Sequence, residues 1–100
     1  MKQLNHAIPY KDGEMSIQAS EFHYSIPKKD KGPYSAVEIA VFNRDGERIV
    51  EDAFKGHEDS TTGDYAPVYG YVPITKLVMA LKEDGYTDLN MVGILDRLGN

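Results

Sequence analysis

Apolar residues alternate most regularly over 34–43, where Val37, Ile39 and Val41 share one parity and Ala36, Glu38, Ala40 and Phe42 the other. A period of two with apolar residues on both parities predicts a strand buried over most of its surface. Asn43, Arg44, Asp45 and Gly46 come next, and Asp-Gly between two β-rich runs predicts a hairpin, because glycine accepts the positive φ of a tight turn. The return strand is expected over 47–54, with Ile49, Glu51 and Ala53 opposed to Arg48, Val50, Asp52 and Phe54.

Upstream, 16–26 carries Ile17 and Ala19 on one parity and Phe22, Tyr24 and Ile26 on the other, which predicts a strand broken by a bulge or bend. Residues 27–33 combine two prolines, a glycine and three lysines and predict an exposed loop. A second long loop is expected over 55–66, where Gly56, Ser60, Thr61, Thr62 and Gly63 offer almost nothing to bury. Loops of that length in a small domain are functional or mobile.

A short strand over 68–72 stops at Pro73, and Ile74, Leu77, Val78 and Leu81 then recur at the three- and four-residue spacing of a helix. Proline suits the start of that helix and Gly85 its C-terminal cap. Residues 88–99 read as a second helix from Asp88 to Gly99 or as a buried strand through 89–95; Leu95-Asp96-Arg97-Leu98 before Gly99 favours the helix. Residues 1–15 are expected to be irregular or poorly ordered. Strands followed by helices predict an α+β fold: one domain over 1–100, with an antiparallel sheet of three to four strands and one or two C-terminal helices packed on one face.

One hundred residues, 41% of them hydrophobic, support one modest core and exclude a large enzyme. The absence of cysteine excludes a disulfide framework and a thiolate nucleophile or metal site, and agrees with a reducing compartment. The opening residues lack the apolar stretch of a signal peptide, and every apolar run is far shorter than the roughly 20 residues that span a bilayer. A cytoplasmic protein without membrane association is the expectation.

The formal net charge is −5, and the acidity is concentrated: 43–64 holds Asp45, Glu47, Glu51, Asp52, Glu58, Asp59 and Asp64 against Arg44, Arg48 and Lys55. Such a balance disfavours capture of nucleic acid or an anionic membrane by bulk electrostatics. The helical tail over 73–100 outlines a helix-turn-helix, but it is not basic, so direct nucleic-acid binding is not expected.

Candidate chemistry is sparse. Of His6, His23 and His57, the last alone has potential ligands beside it, Glu58 and Asp59 with Asp64 further on, and no metal-binding spacing accompanies them. No serine stands in a Gly-x-Ser-x-Gly elbow, no glycine-rich turn leads into a helix, and Glu51-Asp52 and Glu83-Asp84 read as outward pairs. No enzymatic activity, cofactor or metal is expected. Tyrosine is the informative residue: seven occur, with Tyr65, Tyr69 and Tyr71 close together. If 69–71 is extended, Tyr69 and Tyr71 project from one face, either to cover the helix or to form a contact surface.

The sequence therefore predicts a small acidic protein-binding module, an inhibitor or regulator of a basic, nucleic-acid-handling protein of the kind small phage and mobile-element proteins can be. Its interface candidates are Tyr65, Tyr69, Tyr71, Glu51, Asp52, Glu58, Asp59 and Asp64. Two alternatives remain open: a small metal-dependent enzyme using the acidic 55–66 loop, and a structural subunit that forms a homodimer through an exposed strand.

Overall fold

The central strand is β3 (Ala36–Phe42), and the other strands are assembled on its two sides. The computed structural model describes residues 4–59 and 66–99. On one side of β3 lies β2 (Gly13–Gln18), antiparallel, with Met15 opposite Val41 and Ile17 opposite Ile39. Then comes β1 (Ile8–Tyr10), which places Ile8 opposite Met15. The other side of β3 is shared: β4 (Arg48–Ile49) pairs with Val41 and Phe42, and β5 (Tyr69–Pro73) pairs along Ala36–Ile39. All pairings are antiparallel.

Val37, Ile39 and Val41 are fully or almost fully buried, as their common parity predicts, and they meet two helices on one face of the sheet. α1 (Ile74–Glu83) contributes Leu77, Ala80 and Leu81; α2 (Asp88–Gly99) contributes Met91, Ile94 and Leu98. Both ends that the sequence marks are made as hydrogen bonds. After α1, Gly85 (φ 95°) donates to the Lys82 carbonyl and Tyr86 to that of Leu81, a Schellman close. Before α2, the Thr87 hydroxyl accepts from the Asn90 backbone at 3.2 Å and the Asn90 side-chain oxygen accepts from the Thr87 backbone N–H at 3.4 Å, a capping box with Asn in the reciprocal role. The tail from Asp88 is thus a helix. The fold is the expected α+β arrangement, with no described helix long and apolar enough to cross a membrane.

The β3–β4 hairpin turns where Asp45-Gly46 predicts. Asn43 and Glu47 close it through a 2.8 Å backbone hydrogen bond, the Asn43 side chain accepts from Asp45 and Glu47, and Gly46 sits at φ 82°. A β-carbon at Gly46 would meet nothing within 4 Å, so Gly46→Val tests backbone strain alone. The expected loss is about 1–2 kcal/mol in denaturant unfolding. An unchanged midpoint would contradict the turn.

Three expectations are corrected. Residues 8–10 and 13–15, expected to be irregular, form β1 and the start of β2: Lys11 takes a positive φ of 52° that its residue type does not advertise, while Asp12-Gly13 carries the same Asp-Gly turn signal as 45–46. Pro9 then sits on an edge strand, where its missing N–H costs no ladder bond, and the Tyr86 hydroxyl donates to its carbonyl.

The return strand is two residues long rather than covering 47–54. Glu51 leaves the ladder to cap a 3-10 turn (Asp52–Phe54), which swings Phe54 into the core.

The strand expected over 16–26 ends at Gln18. Buried Ser20 and Ser25 replace ladder bonds with side-chain ones: Ser20 Oγ accepts from Phe22 N, while Ser25 Oγ contacts the carbonyls of Ser20 at 3.2 Å and Pro27 at 3.0 Å. Ile26 rejoins β3 through a bridge to Ala36.

Candidate functional site

The tyrosine stretch lies on β5, and its geometry is set by one extra residue. Val72 pairs with Val37 and Tyr69 with Ile39, so three steps on β5 oppose two on β3 and the surplus is accommodated at Gly70 and Tyr71. Tyr71 takes φ 53° and its N–H turns to the Tyr24 carbonyl at 2.9 Å. A β-carbon at Gly70 would lie 2.9 Å from Cβ of Tyr24, so glycine is what lets the 20–27 segment lie against β5.

The bulge separates two residues expected on one face. Tyr69 is fully buried: its ring packs 5.7 Å from that of Phe54, and its hydroxyl accepts the Glu51 N–H at 2.8 Å. Tyr71 is 45% exposed, with its ring 5.5 Å from Tyr24 and tilted by 37°. The first is a core residue and the second a surface one. Tyr65 lies outside the described residues.

The acidic candidates divide in the same way. Glu51 is only 6% exposed; its carboxylate meets Lys11 Nζ at 2.8 Å and accepts from Ala53 N at 3.3 Å. It joins the β1–β2 turn to the 3-10 turn and is not available as an outward charge. Asp52 and Glu58 are exposed and Asp59 is half-buried. Glu58 bridges to Tyr69, and the Asp59 N–H and the His57 carbonyl bond Val68 and Gly70, so 57–59 borders β5 on its outer side. The backbone N–H of Glu58 itself, and after it the Gly56 N–H, holds the Glu58 carboxyl below its ordinary range. Asp64 lies outside the described residues.

Sequence reasoning missed the neighbours of Tyr71. Tyr24 donates its N–H to the half-buried Glu38 carboxylate at 3.0 Å, and Lys28 Nζ lies 5.0 Å from its ring centroid, within cation–π range. Phe22 and Ile26 are exposed beside it in the chain. The Phe22, Tyr24, Ile26 alternation was the available signal, but it reads equally well as a strand turned inward.

Among the described residues, no three His, Asp or Glu side chains gather to hold a metal. Ser20 Oγ does approach His23 Nδ1, at 2.6 Å, the pairing a serine nucleophile would need. That hydroxyl is buried and already accepts from Phe22 N, so it secures a turn rather than facing a substrate. His57 Nε2 faces Lys76 Nζ at 3.1 Å at the surface.

Buried phenols give the fold a defined alkaline limit. Burial first, and then the Glu51 charge, hold the Tyr10 phenol well above its ordinary value; burial likewise raises Tyr34, Tyr69 and Tyr86. The unfolded chain ionises its phenols near pH 10 while the folded chain keeps those protons, so the native state binds more protons and stability falls as pH rises above about 10. Lys11, raised chiefly by its hydrogen bond to Glu51, acts in the same direction: its contribution is complete below the ordinary lysine value and is lost as pH climbs through the raised one. Denaturant titrations are expected to show this decline, and a shallower one for Tyr10→Phe. Stability level through pH 12 would contradict it.

No family model matches the chain, and neither a curated protein nor a solved structure matches it.

Proposed function

We propose that the chain is a small non-enzymatic protein-binding module, centred on Tyr71, that engages a basic region of another protein. The supporting observation is Tyr71 itself, a large aromatic residue at positive φ and 45% exposed. A non-glycine residue held there costs on the order of 1–3 kcal/mol, and residues so strained cluster at sites of function. Glycine at 71 would avoid that cost, and tyrosine is enriched where proteins meet because it offers rigid area and a hydroxyl. Asp52, Glu58 and Asp59, near or along the outer side of β5, supply the negative field that favours a basic partner. A regulator of a nucleic-acid-handling protein is one member of that class.

The test is kinetic, on a partner captured by the tagged chain and then purified. Tyr71→Ala is expected to weaken binding by about 2 kcal/mol, mostly through faster dissociation. Glu58→Lys with Asp59→Lys is expected to slow association and flatten its salt dependence. Unchanged rates in both variants would overturn the reading.

A further inference from the structure

The 27–33 loop is net positive in a chain whose formal net charge is −5. Lys28, Lys29 and Lys31 are all exposed, and the one acid among them, Asp30, has its carboxylate turned back to accept the Glu21 N–H at 3.0 Å. Lys28 carries this positive charge onto the Tyr24 ring, and Tyr24 stacks against Tyr71. Phe22, 67% exposed, and Ile26 add apolar area on a segment whose conformation is already fixed by the buried hydroxyls of Ser20 and Ser25. A rigid segment binds at lower entropic cost than one ordered on contact.

We propose that this patch, Lys28, Lys29 and Lys31 with Phe22, Tyr24 and Tyr71, docks an acidic peptide segment of the protein partner that carries an apolar side chain. The inference rests on the protein-binding reading above and adds the chemistry of a second contact. Charge complementarity selects an anionic occupant, and the apolar and aromatic side chains beside the lysines select one with a side chain to bury. A long polyanion is disfavoured, because the acidic 57–59 segment borders the same β5 strand that carries Tyr71.

Fluorescence anisotropy of the whole chain at low salt tests this with three labelled probes: a short Glu-rich peptide carrying one Phe, its Lys-for-Glu counterpart and a single-stranded oligonucleotide. The Glu-rich peptide is expected to bind saturably and through the lysine patch, whereas the Lys-rich one, drawn to the acidic side, is expected to be indifferent to the lysines. Replacing Lys28, Lys29 and Lys31 together by Ala is expected to weaken the Glu-rich peptide about tenfold with the melting temperature unchanged, since all three are exposed. No saturable binding of the Glu-rich peptide, its indifference to the lysine variant, an equal loss of the Lys-rich peptide in that variant, or tighter binding of the oligonucleotide would each overturn it. If the purified partner still loses affinity on Tyr71→Ala while the Glu-rich peptide fails, this inference falls and the protein-binding reading stands. If Tyr71→Ala and the Glu58, Asp59 reversals leave the partner untouched, the reading itself falls.

Discussion

Tyr69→Ala is expected to lose about 4 kcal/mol of stability, the largest effect of any single substitution considered. The ring is fully buried against Phe54, so its removal forfeits apolar burial and leaves a cavity. It also strips the Glu51 N–H of its acceptor, and Glu51 is where the Lys11 turn and the 3-10 turn are tied together. Tyr69→Phe separates the two terms: the ring stays, the acceptor goes, and the expected loss is about 1–2 kcal/mol. Equal losses for the two variants would contradict the packing of the ring. A loss below about 1 kcal/mol for Tyr69→Ala would return Tyr69 to the surface, where the sequence alone allowed it to be.

Gly13→Ala is expected to cost about 3 kcal/mol, for a reason unrelated to φ. A β-carbon at Gly13 would clash with the Phe42 carbonyl oxygen and would lie 2.8 Å from the Asn43 carbonyl carbon. These are backbone atoms, with no rotamer to yield. β2 must therefore part from β3 at the Glu14–Phe42 pair, where the β2–β3 ladder begins. Chemical denaturation of this variant against Gly46→Val checks the ranking: the close approach is expected to cost more than the strained turn. The reverse order would contradict the β2–β3 register.

What was legible in the sequence is what local rules specify. β3 declares itself through alternation, the hairpin through Asp45-Gly46, α1 through its spacing and Gly85, and the tail helix through its Asp88 start and Gly99 end. The features missed at the candidate site depend on partners distant along the chain. Glu51 is interior because Lys11, 40 residues away, neutralises it. Tyr71 leaves the face of Tyr69 because Tyr24 occupies the space over Gly70 and receives its N–H. Nothing in Tyr69-Gly70-Tyr71 distinguishes a regular strand from a bulge, and a one-residue surplus reverses which side chain reaches the core. Of the interface candidates, Tyr71, Asp52 and Glu58 stand at the surface and Asp59 partly so, while Tyr69 and Glu51 belong to the interior.

Tyr71→Gly tests the central claim most directly, because it sets stability and binding against each other at one position. Glycine relieves the positive φ and forgoes the stacking on Tyr24, two effects of comparable size, so the melting temperature is expected to stay within a few degrees of the parent. Affinity for the purified partner is expected to fall at least about tenfold at the same time. A variant that keeps the parent's affinity, or one that loses binding only because it no longer folds, would contradict the assignment of Tyr71 as the centre of the interface.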